Sequence, residues 1–179
     1  METDKIKSVE RKIKREIKRK TRKIRNQVQE LKDKHSSPIP KTVCVSGYFD
    51  PLHVGHLEYL EKASRLGHYL IVIVNNDHQT ALKKGKAFMP CKERIKIMRS
   101  LRVVNKVIKS VDTDRTVCKT LASMRPAPDI FCNGGDQTNE YIPEAEICQQ
   151  QGIELVDGLG AKIQSSSWLI EGGKDIKKR

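Results

Sequence analysis

The sequence predicts an α/β fold, a doubly wound parallel sheet of five strands preceded by a basic amphipathic helix. Three observations predict it. Short apolar runs alternate with amphipathic helical stretches from residue 42 onward, the connections between them are short, and the first 34 residues contain neither proline nor glycine. At 179 residues the chain suits one compact domain with an appendage.

In the N-terminal segment, apolar residues recur at Ile6, Val9, Ile13, Ile17, Ile24, Val28 and Leu31, a single stripe on a helix among lysines and arginines. "HSSPIPK" ends it with two prolines. The first strand is then "TVCVSG" (42–47), followed by a helix over 53–66 closed by Gly67. "YLIVIVN" (69–75) is apolar throughout, as a strand covered on both faces requires. A polar loop, "NDHQTALKKGKAFMP", leads to the helix "CKERIKIMRSL". "NKVIKSV", "DIFCN" and "IELVDGLG" supply the last three strands. "RTVCKTLASM", "PEAEICQQQ" and "SSSWLIEG" are helices, with Pro143 near the start of the second and serines to cap the third. The expected organisation is a helical extension (1–35), a linker (36–41), the α/β domain (42–171) and a basic tail (172–179).

The net charge of +13 suggests nucleic acid until it is located. Residues 1–35 hold 14 Lys/Arg against 6 Asp/Glu, which leaves only +5 for the remainder. The mildly basic body suits a protein that handles phosphates. The basic helix suits self-association, as a homodimer or short coiled coil, or a nucleic-acid arm; its β-branched stripe without aromatics weakens a membrane-surface role. Five cysteines stand singly, so neither a disulfide framework nor a cysteine zinc site is indicated, and three of them, among apolar neighbours, are expected to be small core residues. No apolar stretch is long enough to span a membrane and no signal peptide is visible, so a cytoplasmic protein is expected.

In a doubly wound sheet, ligands bind beyond the carboxyl ends of the strands. Four polar clusters fall there: "GYFDPLHVGH", "NNDHQT", "CNGGD" and the loop before "QSSS". The two commonest glycine-rich phosphate loops are missing after the first strand. In their place stands a helix N-terminus bearing His53 and His56. Its free N–H groups and positive dipole end attract phosphate, Gly55 allows close approach, and residues three apart share a helix face. Zinc would need a third ligand, which no H-E-x-x-H or cysteine pair supplies.

The stretch "GYFDPLHVGH" resembles the signature of the HxGH nucleotidyltransferases, the cytidylyltransferase-like superfamily with its Rossmann-like fold. The resemblance continues through "EKASRLGHYLIVIVNND", "LKKGK…CKERIKIM" and "QSSSWLI". "CNGGD" is close to the block of the heptose-phosphate adenylyltransferases, and the glycerol-3-phosphate cytidylyltransferases have a similar one. The resemblance implies that a phosphorylated sugar or polyol attacks the α-phosphorus of ATP or CTP in line and expels pyrophosphate, with Mg²⁺ carried by the nucleotide. A phosphate monoester has its second pKa near 6, so at neutral pH it needs no strong base. Charge stabilisation and positioning then carry the catalysis.

Carried over residue by residue, the resemblance implies that His53, His56 and Lys84 act on the triphosphate. Gly47, Phe49 and Asp50 shape the first turn, with Asp50 either holding it or binding Mg²⁺ through water. Gly134 and Asp136 line the nucleotide side, and Ser165 and Ser166 offer donors to the terminal phosphates while capping their helix. Lys83, Arg94 and Asp77 meet phosphate or the acceptor, unless Arg94 is a helix-surface charge and Lys83 a solvated loop lysine. "DGLGAKIQSSS" lacks the arginine many cytidylyltransferases carry before the serines, which leans toward adenylyl transfer, with Lys162 covering part of the missing charge. The alternative class is a nucleic-acid-binding protein acting through its basic helix, although low aromatic content (4%) counts against base stacking.

Overall fold

The computed structural model describes residues 13–28, 40–134, 142–159 and 165–170. The chain divides into two units, Met1–Ile39 and Pro40–Arg179. In the first, helix α1 runs over residues 13–28. Its stripe of Ile13, Ile17, Ile24 and Val28 is exposed, and Lys20 pairs with Glu16 one turn away at 3.4 Å. The rest of the expected N-terminal helix, most of the linker and the C-terminal tail lie outside the described residues.

The second unit carries the α/β fold. Strands β1 (Thr42–Gly47), β2 (Tyr69–Val74), β3 (Lys106–Lys109), β4 (Ile130–Cys132) and β5 (Glu154–Val156) form one sheet in the order β3-β2-β1-β4-β5. Every pairing is parallel. The strand order reverses between β1 and β4, which defines the crevice where such sheets bind ligands. Helices α2 (Val54–Ser64), α3 (Asp77–Lys84), α4 (Cys91–Arg99), α5 (Cys118–Ser123), α6 (Glu144–Gln151) and α7 (Ser166–Ile170) connect or follow the strands.

Strand periodicity divides the core into two layers. Val43, Val45, Leu70, Val72, Val74, Ile130 and Cys132 join Leu60 and Ala63 of α2 and Met98 of α4 on one face. Cys44, Ile71, Ile73 and Phe131 join Leu121 of α5 and Cys148 of α6 on the other. Both faces of β1, β2 and β4 are therefore covered, which explains their near-continuous apolar runs. Truncating a fully buried member such as Leu60 costs about 2–5 kcal/mol. Four of the five cysteines are buried in the core, one more than the three expected.

The structure departs from the sequence reading in two places. The polar stretch read as a loop contains α3, started by a capping box in which Asn76 accepts from Gln79 N–H and Gln79 Oε1 accepts from Asn76 N–H, both at 3.0 Å. Gly67 does not cap α2, whose C-cap is Arg65. A side chain at Gly67 would strike the Lys41 carbonyl at 2.5 Å, so the glycine admits close passage of β1.

Candidate active site

The site is built on the turn between β1 and α2. Phe49 is buried with φ of 49°, a left-handed conformation that costs a bulky residue strain. Its ring lies where a Cβ on Gly47 would come within 2.7 Å, so only glycine fits the strand end. The same ring meets His56 edge-on, with centroids 5.0 Å apart.

Asp50 follows, 0% exposed. Its two carboxylate oxygens accept from the N–H groups of Phe88 and Met89 at 2.8 and 2.7 Å. Those bonds tie the turn to the loop after α3, the holding role expected of Asp50. Lys84, at the end of α3, donates its ammonium to the Asp50 carbonyl.

His53 is the N-cap of α2 and His56 its third residue. The rings stack with centroids 3.7 Å apart and planes 20° from parallel. Burial and the charges of His53, Lys84 and Lys83 pull the His56 pKa down to about 3, and burial and Lys84 lower that of His53. Both are therefore neutral imidazoles at pH 7 in the free protein. His56 Nδ1 accepts the His53 N–H at 3.4 Å, which places its proton on Nε2, a donor. His53 Nδ1 is buried without a hydrogen-bond partner, a polar atom that such a position leaves ready for a ligand. Burial also pushes the Lys84 ammonium down, as does the Arg94 charge, while Asp50 opposes both.

The other sequence-derived residues fall around this centre. Gly55 lies in the first turn of α2. Ser166, buried at the start of α7, donates to the Pro51 carbonyl at 3.0 Å, so its hydroxyl hydrogen is committed to the histidine turn. Ser165 precedes it and its carbonyl accepts from Leu169 N–H. Gly134 follows β4, where a Cβ would meet the Tyr59 ring at 3.0 Å. Lys83 sits over the Tyr48 ring at 4.3 Å, in cation–π contact rather than solvated alone. Asp136 and Lys162 lie outside the described residues.

Arg94 requires a correction. It is neither a helix-surface charge nor an accessible phosphate contact: it is 1% exposed and its guanidinium is bonded to Tyr48, Asn75 and Met89 carbonyls and to Asp77. Asp77 remains half-exposed while its Oδ1 accepts from Arg94 and from Cys91 N–H. It lines a cavity of about 460 Å³ beyond β2 and β3, with Asn76, His78, Lys109, Ser110 and Thr113. Sequence reasoning missed Tyr59, whose hydroxyl donates to the Cys132 carbonyl at 2.6 Å and whose ring supports Gly134. Its place on the inner face of α2 was the available signal. No three His, Cys, Asp or Glu converge as a metal cage among the described residues. No described helix is long and apolar enough to cross a membrane.

A parallel sheet whose strand order reverses beside a histidine-capped helix defines a nucleotide-handling class, and comparison names it. Residues 44–161 match the cytidylyltransferase-like family, and the chain belongs to that family of nucleotidyltransferases. Among its relatives, the bifunctional protein HldE of Citrifermentans bemidjiense is 35% identical over 139 residues, covering 73% of this chain and 26% of the relative. HldE of Streptomyces coelicolor is 34% identical over 116 residues, covering 64% of this chain and 24% of the relative. The chain thus spans about a quarter of the length of these curated relatives. A lipopolysaccharide core biosynthesis protein from Thermoplasma volcanium shares the fold with a TM-score of 0.53 and 30% identity, over 66% of this chain and 96% of that one.

Proposed function

We propose that this chain transfers a nucleoside monophosphate from ATP or CTP to a phosphorylated sugar or polyol and releases pyrophosphate. The observation that carries the reading is the stacked His53–His56 pair at the α2 N-terminus beside Lys84, within the crevice between β1 and β4. A phosphate oxygen of the acceptor attacks the α-phosphorus in line, the bond to the bridging oxygen breaks, and no covalent enzyme intermediate forms. The His56 Nε2–H, the Lys84 ammonium and the N–H groups of the first turn of α2 meet charge developing on the triphosphate. Lys83 and Ser165 adjoin the same phosphates. Mg²⁺ enters with the nucleotide as part of the substrate. The cavity beside Asp77, with Ser110 and Thr113 in its lining, is the candidate place for the acceptor, and the resemblance of "CNGGD" to the heptose-phosphate adenylyltransferases favours a sugar phosphate.

The test is a pyrophosphate-release screen crossing four nucleoside triphosphates with a panel of sugar and polyol phosphates. Turnover with ATP or CTP and one acceptor, abolished by His53→Ala, is expected. Near-normal release from that variant would overturn the reading. A second reading, nucleic-acid binding, rests on α1, where eight Lys/Arg face one Glu and all are exposed. It predicts RNA or DNA binding that weakens steeply with salt and vanishes on deleting residues 1–39.

A further inference from the structure

Arg94 is a charged side chain buried almost completely, at a cost that only strong partners offset. Four of its five N–H groups are engaged. Nη1 donates to the Tyr48 carbonyl at 2.8 Å and to the Asn75 carbonyl at 2.7 Å. Nε donates to the Met89 carbonyl at 3.0 Å, and Nη2 to Asp77 Oδ1 at 2.8 Å. These four positions lie in three segments. Tyr48 opens the turn that ends in His53, Asn75 and Asp77 flank the start of α3, and Met89 lies in the loop that follows Lys84.

Met89 is gripped at both ends of its backbone, its N–H by the Asp50 carboxylate and its carbonyl by Arg94. Asp50 in turn receives the Lys84 ammonium on its own carbonyl. The lysine is therefore aimed by a closed circuit that begins and ends on the histidine turn. A planar guanidinium spans acceptors on several sides at once, whereas a lysine offers donors from a single nitrogen.

We infer that Arg94 is a positioning residue that fixes the Lys84-bearing segment over the histidine pair. The inference rests on the proposed reading in which Lys84 meets phosphate. Its test is a double-mutant cycle on pyrophosphate release with wild type, Arg94→Lys, Lys84→Ala and the double variant, joined to limited trypsin digestion read by mass at Lys84 and Lys86. Misplacement of a catalytic group by about 1 Å costs on the order of 100-fold. Arg94→Lys is expected to lower kcat by about that factor in the wild-type background and by less than about threefold once Lys84 is alanine. A merely structural role predicts the same loss in both backgrounds, and that result overturns the inference, as does an unchanged kcat in Arg94→Lys. In the digestion, Arg94→Lys should be nicked at Lys84 or Lys86 ahead of global unfolding, while wild type resists there. If Arg94→Lys fails to fold, Asp50→Asn, which loosens the other grip on Met89, goes through the same cycle with the same two outcomes. If wild type turns over no substrate, the proposed function falls and the digestion decides alone: faster nicking supports the fastening role and equal nicking overturns it.

Discussion

The two basic regions of this molecule use positive charge in opposite ways. Helix α1 has eight lysines and arginines in 16 residues, all exposed, with one described ion pair, Lys20–Glu16. Exposed pairs of that kind contribute about 0–1 kcal/mol and are screened by salt. The crevice uses few cations, each tied to a named partner: Lys84 to the Asp50 carbonyl, Arg94 to three carbonyls and Asp77, Lys83 to the Tyr48 ring. Formal charge counts draw attention to the helix, whereas held charge marks the place where chemistry needs fixed geometry.

The sharpest way to break this comparison is to remove the histidines. His53→Ala and His56→Ala should each lower kcat by about 10³-fold, the upper end for loss of one preorganised donor. Lys84→Ala should cost about 10²-fold. Steady-state pyrophosphate release measures all three, with circular dichroism to show that each folds. Losses below about threefold in the histidine variants would move the chemistry elsewhere. Comparable losses on neutralising Lys14 and Arg15 of α1 would erase the distinction between held and exposed charge.

Much of the α/β unit was legible in advance because burial on both faces writes itself as continuous apolar runs. "TVCVSG" and "YLIVIVN" are read as strands within a residue of β1 and β2. "NKVIKSV" and "IELVDGLG" keep only four and three residues as β3 and β5, the two edge strands, which need less apolar sequence. Helix α3 was hidden because its composition is polar, although the Asn76-x-x-Gln79 pair that starts it was readable. At the site, His53 and His56 announced themselves through position at a strand end. The partners of Asp50 and Arg94 did not, because their bonds run largely to backbone groups of Phe88, Met89, Tyr48 and Asn75. Such partners leave no residue-type signature.

A smaller effect follows from the buried imidazoles. The His56 pKa is lowered to about 3 in the folded chain, and an unfolded histidine titrates near 6.5. Between those values the unfolded state binds more protons, so stability rises with pH there. The stabilisation is fully present above about 6.5 and drains away as pH falls toward 3. His53, lowered in the same direction, adds to the slope. The diagnostic window is about pH 6.5 to 5.5, above the range in which most carboxylates titrate. In that window the Tm of wild type should fall measurably, and His56→Asn should fall less. Equal slopes would show that His56 is not held neutral by its surroundings. Salt should leave this slope nearly unchanged, since burial is its leading cause.

The smallest expected effect on turnover comes from the larger charge. Deleting residues 1–39 removes the whole first unit, with its exposed Ile/Val stripe and dense cations, and leaves every residue of the crevice in place. The kcat of the truncated chain should stay within about twofold of full length, because the charges of α1 are exposed and physiological salt screens the field of exposed charges over about 8 Å. What should change is association. Sedimentation of both chains separates the two uses the stripe and the cations suggest: a full-length dimer that becomes a monomer on truncation assigns α1 to self-association. A monomer in both, with salt-sensitive retention on heparin lost on truncation, assigns it to a polyanion. A loss of turnover comparable to that of Lys84→Ala would instead mean that α1 belongs to the active centre, and the contrast between the two regions would fail.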